Sequence, residues 1–400
     1  MNVLVLNCGS SSAKFAVIEC SNGREEISGI AQRLGTDDAT LDWKLNGLKH
    51  SRAMAGAEHA LALRGVVDLL REAGLDKNLG GIGHRVVHGG AKFAASVAIT
   101  PEVVNNIEEC IPLGPLHNPP NLLGIRIAQE LFPDVPQVAV FDTAFHQTMP
   151  PQTYLYTVPY DWYEKYGVRR YGFHGTSHRY VSQQAVFLLG LDQNDHALVT
   201  CHLGNGCSLT AVRNGKSMDT TMGLTPLDGV GMGTRSGAID PSIIVFMASA
   251  LDCRASEVLE MLNKKSGLLG VSGVSNDMRV LHAAAQAGHE RAALAIDKFC
   301  HSIAKAAAGM MVSLGRVDAL VFTGGIGEND ASVRGKVVDL LAFVGLVIDQ
   351  GLNAAHGKPV GGRITRSIRP QALVMPTNEE LMIAIDTSEI IASGARKAAA

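Results

Sequence analysis

The chain has 400 residues, 46% hydrophobic and 18% charged, with a formal net charge of −3. That length exceeds a single core and predicts two domains, while the near-neutral balance gives no electrostatic case for nucleic acid or an anionic membrane as partner. Seven cysteines without a CxxC pair, an N-terminus that enters a strand without a basic leader, and no apolar run longer than Leu340 to Ile348 predict reduced thiols in a soluble cytoplasmic protein.

Val3 to Leu6 reads as a buried strand, Gly9-Ser10-Ser11-Ser12 as a tight polar turn, and Phe15 to Ile18 as a second strand. Such a turn gathers backbone N–H groups, hydroxyls and the Lys14 ammonium, the donors that phosphate oxygens take. An ordinary serine-rich hairpin loop has the same pattern. Downstream, Ile27 to Leu48 alternates around an Asn46-Gly47 turn, and Ala57 to Arg71 reads as a helix. Ile82 to Gly90 is a short strand running into a double glycine. Thr100-Pro101-Glu102 opens a helix with cap, proline and acid in order. Leu113 to Pro120 reads as a rigid loop before a helix ending at Leu131, and Gln137 to Phe141 is a strand ending at Asp142. Alternating strands and helices predict a mixed or parallel α/β sheet.

Met149-Pro150-Pro151 reads as a linker, followed by an irregular aromatic segment to Tyr171 and a helix from Arg179 onward. Ala197 to Val212 then repeats the first hairpin. Laying Gly9 on Gly204 puts Ser10, Ser11 and Ser12 opposite Asn205, Gly206 and Cys207, and two such turns half a chain apart predict two related domains that share a nucleotide. A third strand runs into the glycine loop Gly324 to Asn329. Arg291 to Leu314 is the longest helical signal, and the helix after Glu380 is expected to return to the first domain, with Gly394 to Ala400 frayed.

Three glycine-polar loops after strands indicate a nucleotide site; the P-loop run and the protein-kinase signatures are absent. Arg85 and Arg235 stand in glycine contexts, where a guanidinium can grip phosphate or carboxylate; a surface ion pair is the plainer alternative for either. Asp142 ends a strand, where acids of α/β proteins project, or else caps a turn. His174 before a helix start can donate to a phosphoryl oxygen, or sit satisfied in the core. His84, His88, His117, His146 and His178 read as structural. Asn7 and Glu379 offer oxygen to magnesium.

Asn7 to Ser12 with Lys14 resembles the first signature of the acetate kinases, and Tyr171 to His178 the second. His202 to Gly206, Met232 to Arg235, Gly324 to Asn329 and Pro376 to Glu380 match in the same order, from Met1 to about Ile385. The resemblance implies an α/β fold of two duplicated ribonuclease H-like (actin-like ATPase) domains around a nucleotide cleft. These would be residues 1–148, completed by a C-terminal helix 380–400, and residues 149–379. It implies phosphoryl transfer between ATP/ADP and acetate, giving acetyl phosphate, with Mg²⁺ or Mn²⁺, in a homodimer that binds neither nucleic acid nor membrane.

Carried over by position, Arg85 and Arg235 become the carboxylate and transition-state arginines, His174 the γ-phosphoryl ligand and Asp142 the catalytic acid, with Asn7 and Glu379 on the metal side. Ser10, Ser12, Lys14, His202, Leu203, Gly204, Asn205, Gly206, Asp277, Met278, Arg279, Gly325, Ile326, Gly327, Glu328 and Asn329 would bind nucleotide. Val87, Leu116, Phe173 and Pro226 would form the pocket for the acetate methyl, with Arg85 beside them. Two departures stand out: Ala13 replaces a larger aliphatic, and Cys207, where a small or hydroxyl residue is usual, is an expected source of thiol sensitivity. The rival readings are a propionate or butyrate kinase of the same family and a nucleotide-switched binding module like actin or the chaperone ATPases.

Overall fold

The computed structural model describes residues 1–398. The chain divides into two compact units: Met1–Phe145 with Asn378–Ala400, and His146–Thr377. The first unit contains strands β1 (Asn2–Cys8), β2 (Ser12–Glu19), β3 (Arg24–Gln32), β4 (Thr40–Leu45), β5 (Leu48–Ala53), β6 (Leu79–Val86), β7 (Val97–Ala98) and β8 (Gln137–Phe141). They form one sheet in the order β5-β4-β3-β2-β1-β6-β8-β7. The second unit contains β9 (Ala197–Leu203), β10 (Cys207–Arg213), β11 (Lys216–Thr220), β12 (Ala319–Thr323) and β13 (Gln371–Val374), ordered β11-β10-β9-β12-β13.

The core of both sheets is the same. In the first, β3-β2-β1 are antiparallel and β1-β6-β8 parallel; in the second, β11-β10-β9 are antiparallel and β9-β12-β13 parallel. This is the ribonuclease H-like order, present twice, as the two related hairpins predict. The hairpins differ in one detail. Cys8 pairs with Ala13 across a four-residue turn, whereas Leu203 pairs with Cys207 across three. The backbone therefore matches Cys207 to Ala13, not to Ser12, and Ser208 to Lys14.

Alternation along β1 sorts the first unit's core. Leu4 and Leu6 face a cluster with Phe15, Val17, Leu63, Leu70 and Ile127, which brings in the helices His59–Glu72 and Asn118–Leu131. Val3 and Val5 face the other way, onto Val138, Val140, Ile383 and Ala384. The last two lie on the helix Glu379–Ala398, which returns to this sheet as the sequence predicts. That helix continues through Gly394 to Ala398 where fraying is expected; residues 399–400 lie outside the described residues. In the second unit the helix Glu290–Leu314 packs along β9, β10 and β11, and the helix Gly175–Leu189 along β9 and β12.

Several local expectations are corrected. The segment before Tyr171 holds two short helices, Pro151–Tyr154 and Tyr160–Tyr166, the latter ended by left-handed Gly167. The helix expected from Arg179 starts a turn earlier, at Gly175, because His178 N–H already bonds the His174 carbonyl at 2.9 Å. The rigid loop ends at Asn118, where Pro119 and Pro120 fit the first helical turn. Gly324–Asn329 is a short helix of 6 residues and not a loop.

Gly81 and Gly83 on β6 let the C-terminal helix approach. A Cβ at Gly83 would lie 2.5 Å from Thr387 Oγ1 and 2.6 Å from Ile383 Cγ2. We expect Gly83→Ala to lower stability by about 1–3 kcal/mol, by overpacking, read as a lower midpoint in urea unfolding, with the exposed Gly190→Ala, also strained by its positive φ, as a comparison on another element.

Candidate active site

In the first unit the functional candidates gather at the carboxyl ends of three parallel strands, where ligands of open α/β sheets bind. The β6–β8 register sets Val86 beside Phe141, so Arg85 and Asp142 meet. Arg85 Nε donates to Asp142 Oδ1 at 2.9 Å and Nη2 to Oδ2 at 2.7 Å, a bidentate fork. Glu379 Oε2 lies 3.7 Å from Arg85 Nε. Burial works against the Arg85 charge, but the two carboxylates outweigh it and raise its pKa above the ordinary guanidinium value. Burial, reinforced by Asp142, raises the Glu379 carboxyl against the pull of Arg85 and Lys14. Asn7 pairs with Lys14 across the hairpin. Gly9 N–H bonds Ser12 O at 2.8 Å, and His59 Nε2 donates to Gly9 O at 2.7 Å, fixing the turn that exposes Ser10.

Two expected pocket residues lie here. Val87 is half-buried, but Leu116 is 62% exposed in the turn ahead of the helix Asn118–Leu131, so it walls no enclosed cavity within this unit. Two residues that sequence reading missed hold the strand ends. Asn121 donates to Cys8 O at 2.7 Å and accepts from Val87 N–H at 3.0 Å, and Asn118 exchanges two bonds with the His88 backbone. An Asn-Pro-Pro-Asn run at a helix start is the signal that could have found them.

In the second unit His174 stands before Gly175 in the left-handed region, φ 55° and ψ 24°, a conformation that a non-glycine residue holds only when its surroundings enforce it. His146 Nε2 donates to the carbonyl of the preceding Phe173 at 3.0 Å, and His174 Nδ1 lies 2.8 Å from Ser208 Oγ. The His174 and His202 rings stack at 4.3 Å. Ser177 Oγ joins His202 Nδ1 and Thr377 Oγ1, each at 2.8 Å. A Cβ on Gly206 would lie 3.4 Å from His174 Nε2 and 3.5 Å from Arg235 Nη1, so ring and guanidinium flank the same glycine. Asn205 O accepts from Gly233 N–H at 3.1 Å, stitching the β9 turn to the Arg235 loop.

Arg235 differs from Arg85. Its bonds are to Pro226 O at 3.4 Å and Met232 Sδ at 3.9 Å, and no ion pair to it occurs among the described residues. Burial lowers its pKa. Phe173 is buried and Pro226 half-buried.

The other expected nucleotide residues divide. Glu328 turns inward: its Oε1 accepts from Gly324 N–H at 3.0 Å and Thr377 N–H at 3.3 Å. Gly325 and Asn329 are exposed, Ile326 is half-buried and Gly327 buried. A cavity of about 440 Å³ opens beside Glu328 and Asn329, lined also by Leu188, Gly362, Met375 and Pro376. Asp277 caps the helix Met278–Gln286 and pairs with exposed Arg279 at 2.6 Å, a bond that lowers the acid to about 2. Leu203 and Met278 are buried, so their side chains serve the core and leave only backbone for a ligand. Cys207 is fully buried with its thiol pushed up to about 12 by desolvation, which speaks against thiol sensitivity at that position.

His84 and His88, and His174 and His178, stand four residues apart, a spacing used in zinc sites. Yet His84 is bonded to Gln137 and pushed down to about 4 by burial, and no group of three or more His, Cys, Asp or Glu is placed to hold a metal among the described residues. Also unread in the sequence is Arg334, fully buried, which donates to Gly327 O, Glu328 O and both oxygens of Asn353, each at 2.9 Å. It clamps the carbonyl end of the Gly324–Asn329 helix. Burial pulls its pKa to about 10.

A twice-used ribonuclease H-like sheet with charged and glycine-rich strand ends defines a duplicated α/β kinase fold. A propionate kinase from Francisella tularensis shares it with a TM-score of 0.93 and 45% identity, covering 97% of this chain and 99% of that one. The acetate kinase of Porphyromonas gingivalis matches at 0.91 and 45%, covering 98% and 99%. Acetate kinase 1 of Neisseria meningitidis serogroup A is 51% identical over 391 residues, 97% of this chain and 98% of the relative. The acetokinase family model matches residues 2–385, and the chain belongs to that family.

Arg334→Ala takes the guanidinium away from the Gly327 and Glu328 carbonyls and from Asn353 Oδ1, while Asn353 O keeps the His356 N–H at 3.0 Å, and we expect a loss of about 3–5 kcal/mol, measured by urea unfolding. Arg334→Lys should recover little of it, since one ammonium cannot replace the planar fork.

Proposed function

We propose that this protein transfers the γ-phosphoryl group of ATP directly to acetate, reversibly, giving acetyl phosphate and ADP. Family membership carries the choice of reaction. The structural observation that supports it best is Arg235, a guanidinium without a carboxylate partner among the described residues, sharing Gly206 with His174. Such a group suits an anion.

Acetate is already ionised at neutral pH and needs no base. The difficulty is bringing an anion to a polyanion in line. Arg85 spends its Nε–Nη2 edge on Asp142, which holds the guanidinium rigid and leaves Nη1 for the carboxylate. With both oxygens engaged, Asp142 acts by orientation and not by taking a proton. Val87, Phe173 and Pro226 are the apolar residues that the family resemblance assigns to the methyl. Arg235 and His174 donate to the phosphoryl oxygens as charge develops, and an arginine in this role is worth about 10³–10⁵ in rate in other phosphoryl transfers. Ser10, Ser12, Lys14, the backbone of His202 to Gly206, and Gly325 to Asn329 hold the nucleotide, with Asp277 and Arg279 at its exposed end.

Asn7 and Glu379 offer hard oxygen donors, and a carboxyl whose proton affinity is raised by burial and by Asp142 gains from a cation. The donor chemistry fits Mg²⁺, which keeps water and phosphate oxygens and needs few protein ligands; Mn²⁺ is expected to substitute. When bound, the cation supplies positive charge to the phosphate oxygens.

We infer a cytoplasmic homodimer. No helix of the described residues is long and apolar enough to cross a membrane, and the helix Ser242–Ala250 buries none of its residues although Ile243, Val245 and Phe246 are 40%, 69% and 71% exposed. A second copy covering it is the occupant that the family resemblance implies. Light scattering should give twice the 42.3 kDa chain mass, and Phe246→Asp should shift it towards monomer.

The deciding assay is Mg²⁺-dependent ADP release with acetate, propionate, butyrate or no carboxylate, with hydroxylamine to trap acyl phosphate. Acetate-dependent hydroxamate is expected; ADP release indifferent to carboxylate would favour the nucleotide-switch reading. The propionate kinase neighbour makes propionate the competitor, and one methylene is worth only about 10- to 200-fold in kcat/KM, so that ratio decides the preferred substrate. Asp142→Asn should lower kcat at least ~100-fold with the pH profile unchanged in shape; a lost acid limb would mark Asp142 as a base.

A further inference from the structure

Three buried side chains behind His174 form a hydrogen-bonded series. Thr200 Oγ1 lies 3.4 Å from Thr210 O, which can only accept, and 2.7 Å from His178 Nδ1; we assign its proton to the carbonyl, so that the hydroxyl accepts from the ring. Burial, with His146 and His202 nearby, lowers the His178 pKa well below the usual imidazole value, so the ring is neutral. A neutral ring that donates from Nδ1 accepts at Nε2. Ser208 Oγ, 2.7 Å from that nitrogen, is therefore the donor. With its proton spent, Ser208 accepts from His174 Nδ1 at 2.8 Å. With the Thr200 proton so assigned, the series runs from His174 through Ser208, His178 and Thr200 to a carbonyl of β10. Ser208, His178 and Thr200 are each fully buried, which shields the series from water that could reverse it.

We propose that Ser208 is a positioning residue that fixes the proton of His174 on Nδ1, so that Nε2 donates only when the ring is an imidazolium. The Nε2 edge is the one that borders Gly206 and Arg235. The proposal rests on the reading of His174 as a phosphoryl ligand. A neutral ring in this tautomer presents a lone pair to the phosphoryl oxygens and repels them. The titratable and charged groups around the ring in this unit are His202 of β9 in the stack, His178 of its own helix behind Ser208, and Arg235 from the loop preceding Ser236. Cys207, next to Ser208 on β10, has its thiol directed to Gly204 O at 3.1 Å and its proton held by burial.

The test has two arms. In ¹⁵N-histidine NMR of the whole protein, the neutral His174 ring is expected as the Nδ1–H tautomer, shifting to Nε2–H in Ser208→Ala. A wild-type ring in the Nε2–H form overturns the proposal without any variant being made. In the kinetic arm, Ser208→Ala should lower kcat ~10-fold or more near pH 6.5 and much less near pH 9, because its neutral ring can still donate. KM for acetate and ATP should stay within about 2-fold, and Ser208→Thr, which keeps the hydroxyl, should restore the wild-type profile. A loss of kcat equal at every pH, with the tautomer unchanged, makes Ser208 merely structural and overturns the proposal. His174→Ala with undiminished kcat would instead remove His174 from the reaction while leaving the tautomer result standing, so the two failures are distinct.

Discussion

A guanidinium taken out of water must be met by opposite charge, by carbonyls or by a ligand, and Arg85, Arg334 and Arg235, each buried or half-buried, take three different answers. Arg85 is met by Asp142 and Glu379. That pairing exists because β6 and β8 run parallel with Arg85 beside Val140, so Asp142, two residues further on, leaves on the same face and meets it diagonally. The parallel register, the asparagines that hold the strand ends and the glycines that let the C-terminal helix bring Glu379 back all serve that meeting.

Arg334 is met by carbonyls and the His356 Nδ1 at 3.1 Å, Arg235 by almost nothing, and the charge states follow the company. Carboxylates raise the first pKa; burial lowers the other two. A guanidinium fastened by several carbonyls is part of the framework, while one left with a long bond to Pro226 O and a thioether keeps its donors for a ligand. The second unit thus contains both a structural and a receptive cation, separated by the number of acceptors around each.

Much of this was legible in the sequence, for physical reasons. The strands showed as short branched runs, the turns as glycine clusters, and the duplication as two hairpins of like pattern. Asp142 at a strand end and His174 at a helix start were readable because position relative to an element fixes where a side chain projects. What escaped depended on partners distant in sequence. Nothing around Glu328 says that its carboxylate folds back onto Gly324 and Thr377, and nothing around Leu203 or Met278 says that they serve the core. Arg334 looks like any surface arginine on an amphipathic helix until Asn353 and the Gly327 carbonyl close around it. The helix start at Gly175 was missed because Thr176, Ser177 and His178 are indifferent helix formers alone, and only burial and their tertiary bonds settle them there.

The two hairpins carry one more consequence. Matching by letters sets serine against cysteine, but the ladders set Lys14 against Ser208 and Asn7 against His202. One position of a repeated design therefore became a fixed charge in one half and, in the other, a hydroxyl whose proton has a direction. Duplication left the backbone symmetric and let the chemistry specialise: one copy of the slot holds electrostatic potential, the other stores orientation.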